Sequence, residues 1–227
     1  MTDKPILFSG PMVQAILREI RDPGTGKTQT RRILPQSHPK FPHHNHLSLD
    51  VLSDPSEVWF WDGVHDRVGA SYRLPFHPGQ RLWVREAHYL TDDGESEYAV
   101  YAAEQDDVDE HLSNMQTTMA SHPSIDWSKH LRLRPSLHMP RWASRITLEV
   151  TDVRVQRLQE ITLGDICAEG LASSIYDFKP VQRGFDAWIS LWDSLNADRA
   201  PWASNPWVVA VSFRPHLTNI DKMEKAG

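Results

Sequence analysis

The sequence predicts an α+β fold in which a small mixed β-barrel carries flanking helices and long loop insertions. Period-two alternation marks several short strands, and helical periodicity marks helices of uneven length between them. Strands and helices do not alternate regularly, which favours a mixed barrel over a doubly wound parallel sheet. A chain of 227 residues with 40% hydrophobic content can bury one sizeable core, so we expect a single domain over 1–227.

The first elements are a short strand and an amphipathic helix. Residues 5–8 are predicted to form a short strand. Ser9-Gly10-Pro11 predicts the start of a helix, because proline suits the first helical turn. The apolar residues that follow at helical spacing are Met12, Val13, Ile16 and Ile20. Asp22-Pro23-Gly24 predicts the end of this helix and a turn after it.

Two polar stretches, at about 36–78 and 104–136, are predicted to be insertions. The first is rich in Pro, His, Ser and Asp, and its periodicity is weak apart from residues 58–61, so little regular structure is expected there. It contains three histidines at 43, 44 and 46 without acidic or cysteine ligands at a suitable spacing. We interpret them as surface residues and expect no metal.

The stretch GQRLWVRE, from Gly79, predicts a strand with an acidic residue on its apolar face. Alternation places Leu82, Val84 and Glu86 on one side and Trp83 on the other. A carboxylate that faces a core needs a partner or has a functional role, so Glu86 is either one half of a salt bridge or part of a site. A further strand is expected over 98–103.

The second half contains two strands around two helices. Residues 146–155 alternate with a slip at Thr151-Asp152 that is typical of a bulge. Thr162 and Asp165 form a variant of the capping box, and Gly170 is placed to close the short helix. The next helix carries an apolar stripe that we interpret as core, and the last strand alternates over 207–213. The stripe consists of Phe185, Trp188, Ile189, Trp192 and Leu195.

Composition limits the classes of function. A single cysteine, Cys167, excludes an internal disulfide and a four-cysteine zinc site. No stretch approaches the roughly 20 apolar residues of a membrane span, and the N-terminus resembles no signal peptide, so we expect a cytoplasmic protein without a membrane partner. The net charge of -6 disfavours extensive binding of nucleic-acid polymers. Residues 129–157 carry seven basic residues and two acidic ones, which we interpret as a solvated basic face, with a patch for one nucleotide as the alternative.

The segment GTGKTQTRRIL, residues 24–34, contains the Gly-Lys-Thr of a phosphate-binding loop. That loop needs a strand before it, a helix after it and a glycine five positions before the second glycine. Position 21 is arginine, a helix is predicted before Gly24, and the residues after Thr28 favour an extended run. The segment is therefore not interpreted as a phosphate cradle, and Lys27 needs another explanation.

Six blocks, taken in order, resemble the ASCH domain family, whose fold is similar to the PUA barrel of RNA-modifying proteins. The blocks are KPILFSGPMVQAIL, GKTQTRRIL, GQRLWVRE, MPRWASRITLEVTDVRVQRLQEI, DICAEGL and NPWVVAVSFRP, and they cover roughly half the chain. The phage-associated members are the most similar. One branch of the family removes an acyl group from the exocyclic amine of cytidine, and its Lys-Thr-x-Thr-x-Arg motif matches Lys27, Thr28, Thr30 and Arg32.

The resemblance implies that Lys27 is the general base, Thr30 the nucleophile and Glu169 the proton donor. It also implies a small modified nucleoside as substrate, without cofactor or metal, and we add Arg32, Glu86, Trp83 and Thr28 as candidates for substrate binding. Two features depart from the branch: RDPGT adds length before the lysine, and Gly79-Gln80 stands where Gly-Asp is usual.

Amide cleavage independently requires the three roles of nucleophile, base and acid. Threonine needs a base within hydrogen-bond reach, and lysine serves only when it is neutral, which burial and a neighbouring Arg31 or Arg32 favour. Because Lys27 and Thr30 are three residues apart, they converge only if the segment turns between them, for which Gly24 and Gly26 provide freedom.

Two other functions stay open at this stage. The fold relationship favours RNA as an alternative partner, bound or cleaved, with Trp83, Trp142 and the basic run to Arg157 stacking on and neutralising a single strand. The third possible function is that of a phage-derived accessory protein, which would bind a partner through residues 37–76.

Overall fold

The computed structural model describes residues 3–37, 39–40, 46–48, 56–61, 69–92, 95–122, 124, 126–128 and 130–223. It confirms the α+β class. The described strands are β1 (Lys4–Leu7), β2 (Gln29–Ile33), β3 (His46–Ser48), β4 (Glu57–Trp61), β5 (Ala70–Arg73), β6 (Arg81–Arg85), β7 (His88–Asp92), β8 (Glu97–Tyr101), β9 (Thr147–Arg157) and β10 (Trp207–His216). The described helices are α1 (Gly10–Arg21), α2 (Gln105–Ser121), α3 (Leu163–Ala168) and α4 (Gln182–Asn196).

The chain divides into two compact units. The first unit comprises Met1–Pro23, Arg81–Leu148 and Pro215–Gly227, and the second comprises Gly24–Gln80 and Glu149–Arg214. Strands β9 and β10 each pass from one unit into the other along the chain. Each unit is therefore built from distant parts of the sequence.

The first unit is built around β6, which pairs in parallel with β1 and has β9 as its other neighbour in the sheet. Helix α1 follows β1 and begins with proline in its first turn, as predicted, and it buries the apolar face centred on Val13 and Ile16. Strands β7 and β8 form an antiparallel hairpin, and α2 follows it. The segment expected as an insertion at 104–136 thus contains a helix of 17 residues.

The second unit places β10 between the rest of β9 and β2. Strand β2 is antiparallel to β10, with Thr30 opposite Val211. The core lies under α4, where the buried positions follow i, i+4 spacing through Gly184, Trp188, Trp192 and Asn196. Leu195, which was predicted to belong to this stripe, is 63% exposed. Because the buried positions recur every four residues, the buried face shifts around the helix from turn to turn. Leu195, three residues after Trp192, therefore no longer lies on that face.

The described strands form three sheets, and none of them closes into a barrel. Strands β1 and β2 are each paired on one side only, β3-β4-β5 form a separate sheet, and β7-β8 form the third. The predicted small mixed barrel is therefore wrong for the described part of the chain. The three-stranded sheet lies within 36–78, where the composition predicts little regular structure. The apolar run at 58–61 belongs to β4, whose buried and half-buried residues alternate.

Two absences concern only the parts of the chain described above. None of the helices there is both long and apolar enough to cross a membrane. No group of three or more His, Cys, Asp or Glu side chains there is arranged to hold a metal ion. The side chains of the histidine cluster at 43–46 lie outside the described residues.

Candidate functional site

The Lys27 segment begins with a turn and continues directly into a strand. Gly24 adopts a φ of 89°, in the region that favours glycine, and α1 ends just before it. Thr28 donates its backbone N–H to the carbonyl of Ala168 at 2.9 Å and accepts from Phe213 at 2.8 Å, which extends the pairing of β2. A helix precedes the Gly-Lys-Thr and a strand follows it, the reverse of a phosphate-binding loop, so that exclusion is confirmed.

Lys27 contacts the end of α3. The helix begins with the predicted capping box of Thr162 and Asp165, and it ends at Glu169, where Gly170 takes a φ of 91°. Lys27 Nζ donates to the backbone carbonyl of Glu169 at 2.8 Å and to its Oε2 at 2.7 Å. Lys27 is 1% exposed and Glu169 is 3% exposed. Two residues separated by 142 positions thus form a buried ion pair.

A second cation completes this cluster. Arg31 NH1 donates to Glu169 Oε1 at 3.1 Å and to Gln29 Oε1 at 2.6 Å, and its NH2 lies 3.1 Å from Asp165 Oδ2. That last contact has an ion-pair distance but not the angle of a hydrogen bond. Both oxygens of the Glu169 carboxylate are therefore held by cations, and Arg31 fixes the carboxylate plane.

Sequence reasoning missed the role of Arg31, Gln29 and Asp165. The signals were present: 27, 29 and 31 share one face of an extended chain, and 165 and 169 are neighbours on a helix. No local sequence pattern indicates that this face of the extended segment contacts this face of the helix.

Thr30 and Arg32 alternate with this set along β2. Arg32 NH1 donates to Thr30 Oγ1 at 2.9 Å and to the carbonyl of Arg31 at 3.2 Å, and Thr30 is 2% exposed. The expected turn between Lys27 and Thr30 is absent, because the turn lies before Lys27 and pairing with β10 keeps 28–33 extended. The structure therefore links Thr30 to the cluster through Arg32, whose charge interacts with those of Glu169 and Lys27.

The cluster contains three cationic side chains and two carboxylates. Burial lowers the pKa of Lys27, the Glu169 carboxylate opposes that shift, and the charges of Arg32 and Arg31 lower the pKa further. Burial also lowers the pKa of Arg32. With Lys27 neutral, the charges of Arg31 and Arg32 match those of Glu169 and Asp165, and the exposed Arg154 adds a further cation 3.1 Å from Asp165. The charge count and the desolvation both favour the form of lysine that can accept a proton.

Glu86 and Trp83 belong to the first unit. Glu86 is 1% exposed, and Arg145 grips its carboxylate through Nε at 3.0 Å and NH2 at 3.1 Å. Arg145 also pairs with Glu104, and its guanidinium lies 3.8 Å from the ring centre of Tyr101. Trp83 is 8% exposed. Of the two explanations for an acidic residue on this face, the geometry favours the salt bridge.

We expect Glu86→Gln to lower the free energy of unfolding by about 1.5–3 kcal/mol, because it removes a charge-assisted contact with Arg145. Burial raises the pKa of Glu86 although Arg145 lowers it, so its ionised form is costly at neutral pH and the loss is moderate. Urea unfolding at pH 7 measures the loss. A matched Glu97→Gln variant, at an exposed position of β8, should be unchanged. A higher KM for a nucleoside substrate, with stability unchanged, would show instead that Glu86 contacts substrate.

Comparisons with known protein families, with curated proteins and with solved structures give no match to this chain.

Proposed function

We propose that this protein is an amidohydrolase that removes the acyl group from the exocyclic amine of N4-acylated cytosine nucleosides, on an ASCH domain of PUA-like type. The observation that carries the proposal is the buried contact of 2.7 Å between Lys27 Nζ and Glu169 Oε2. The motif resemblance implies these two residues as base and acid, although they are 142 positions apart in the chain. A desolvated lysine beside a carboxylate is suited to proton transfer.

The proposed first step requires a local movement on substrate binding that brings Lys27 Nζ to Thr30 Oγ1, because the two side chains lie on opposite faces of the extended segment. Thr30 Oγ1 then attacks the acyl carbonyl carbon and neutral Lys27 accepts the hydroxyl proton. The C–O bond forms, and the tetrahedral intermediate collapses as the C–N4 bond breaks. Glu169 receives the proton from Lys27 across their hydrogen bond and delivers it to the departing N4. The products of this step are the free cytosine nucleoside and an acyl ester on Thr30.

In the second step, water attacks the ester carbonyl and Lys27 accepts one of its protons. The acyl–oxygen bond breaks, the proton returns to Thr30, and the carboxylic acid leaves. Arg32 donates to Thr30 Oγ1 at 2.9 Å, so the leaving alkoxide has a cationic hydrogen-bond donor beside it. Arg31 is a positioning residue because it holds the Glu169 carboxylate, and Asp165 is one because it pairs with Arg31; neither acts on the reacting atoms. The net charge of -6 suits a small neutral substrate better than a polymer.

Incubation with N4-acetylcytidine, followed by the change in ultraviolet absorbance as cytidine forms, tests the proposal. We expect turnover by the wild-type protein and a loss of at least about 10³-fold in kcat for Lys27→Ala. Lys179→Ala, which removes an exposed lysine of the same unit, is the matched control and should retain full activity. Equal rates for wild type and Lys27→Ala, or no conversion by either, would refute it.

A further inference from the structure

A basic cavity lies in the first unit and contains none of the residues of the proposed catalytic cluster. It has a volume of about 430 Å³ and is lined by Arg132, Arg134, Pro135 and His138. This size falls within the range of small-molecule sites. Arg134 is held by a two-way backbone bridge to His88, at 3.1 and 2.8 Å, and a 3-10 turn over Ser136–His138 fixes the other wall. The backbone therefore presents the cationic side chains from anchored positions.

The positive charge of this cavity has no partner among the described residues. No carboxylate there forms an ion pair with Arg132 or Arg134, whereas Arg81, Arg141 and Arg145 of the same unit all have one. Arg134 Nε and the neighbouring Arg85 Nε are buried and have no hydrogen-bond acceptor in the described structure. Buried guanidinium N–H groups are normally satisfied, so these donors indicate a missing acceptor.

The surroundings carry the same excess of positive charge. Burial lowers the pKa of His88, its hydrogen bond with the Glu86 carbonyl opposes this shift, and the charges of Arg134 and Arg85 lower the pKa further. Arg85 stands 5.3 Å from the ring centre of Trp83, and it donates to the carbonyl of Leu137, which precedes the lining residue His138 in the chain. An anion with several acceptor oxygens in the cavity would supply acceptors to its lining residues Arg132, Arg134 and His138.

We infer that the cavity formed by Arg132, Arg134 and His138 binds a phosphate dianion, either free or as the terminal phosphate of a small phosphomonoester. Two guanidinium groups and an imidazole match the acceptor oxygens and the charge of such a group. A nucleic-acid strand fits less well, because another cavity of this unit is lined by three carboxylates against one arginine, and these carboxylates would repel its backbone. The inference is independent of the proposed amidohydrolase activity.

Titration calorimetry with the full-length protein tests this site at low salt. Inorganic phosphate, cytidine 5′-monophosphate and an oligoribonucleotide with a 5′-hydroxyl are the three probes. We expect the first two to bind, with cytidine 5′-monophosphate the tighter if a phosphomonoester is the natural ligand and equal affinities if free phosphate is. We expect Arg132→Gln and Arg134→Gln each to weaken binding by about 10- to 100-fold.

Two controls keep the result decisive. Arg183→Gln removes an exposed arginine of the second unit and should leave phosphate binding unchanged. Arg132 is itself exposed, so its replacement removes charge without disturbing packing, and thermal unfolding verifies the fold of each variant. The inference is overturned if phosphate affinity is the same in the wild-type and both cavity variants, or if the oligoribonucleotide binds more tightly than either phosphate probe.

Discussion

Replacing Glu169 with leucine is expected to lower the free energy of unfolding by about 3–5 kcal/mol at neutral pH, because the buried Arg31 loses one of its counter-ions and the buried Lys27 Nζ loses its carboxylate acceptor. Lys27 loses the acceptor at 2.7 Å, and Arg31 loses the one at 3.1 Å. Removal of one partner from a buried pair costs more than removal of both, since desolvation of the remaining charge is no longer offset. Lys27→Met should cost less, because Arg31 still neutralises Glu169.

The pKa of Lys27 determines whether the free energy of unfolding rises or falls with pH. Its folded pKa is lowered from the ordinary 10.5, so between the folded pKa and 10.5 the unfolded chain binds more protons than the folded one. Stability therefore rises with pH across that window and falls as the pH drops toward the folded pKa. Glu169→Leu removes the group that raises this pKa, which widens the window. We expect the cost of the substitution to be larger at pH 6 than at pH 9.

Chemical denaturation at pH 6 and pH 9 measures the free energy of unfolding of each protein. The proteins compared are the wild type, both single variants and the double variant Lys27→Met/Glu169→Leu. We expect the double variant to be more stable than Glu169→Leu alone, because Arg31 keeps its ion pair with Asp165 and no lysine is left buried. A destabilisation by Glu169→Leu of less than about 1 kcal/mol, or one that is equal at pH 6 and pH 9, would show that the Glu169 carboxylate does not stabilise the buried Lys27.

The local features of this site could be predicted from the sequence, and its assembly could not. The turn at Gly24, the extended run after Lys27 and the capping box at Thr162 all follow from backbone preferences of a few neighbouring residues. That Arg31 pairs with Glu169 depends on where β2 lies relative to α3, which no local pattern encodes. Glu169 was chosen through a family resemblance, and only its contact with Lys27 gives the choice a physical basis.

The same distinction explains the errors in the fold. Alternation in β6 correctly placed Leu82, Val84 and Glu86 on a buried face, since burial depends mainly on period. Closure into a barrel depends on the order in which strands pair, and the residues of β1 and β2 do not indicate which strands they pair with. The partner of Glu86 was likewise open, because Arg145 lies 59 residues away along the chain.

Thr30→Val is expected to lower kcat/KM for N4-acetylcytidine by about 10³-fold or more, whereas Thr30→Ser should retain most of the activity. Valine keeps the branched shape of a side chain that is 2% exposed in β2, so packing is preserved and only the hydroxyl is lost. Serine keeps the hydroxyl and loses a methyl group. Steady-state kinetics with both variants therefore separates the chemistry of Thr30 from its fit in the strand.

A purely structural role for Thr30 makes a different prediction, because its hydroxyl also accepts from Arg32 NH1 at 2.9 Å. If the threonine only orients that guanidinium, Arg32→Met should lose as much activity as Thr30→Val, and the two losses should not add. If Thr30 is the nucleophile, an acyl ester should accumulate on the wild-type protein or on Thr30→Ser in rapid-quench mass spectrometry and be absent from Thr30→Val. Full activity of Thr30→Val would instead mean that Lys27 activates water directly, since the lysine and Glu169 would then supply all the proton transfers that hydrolysis requires.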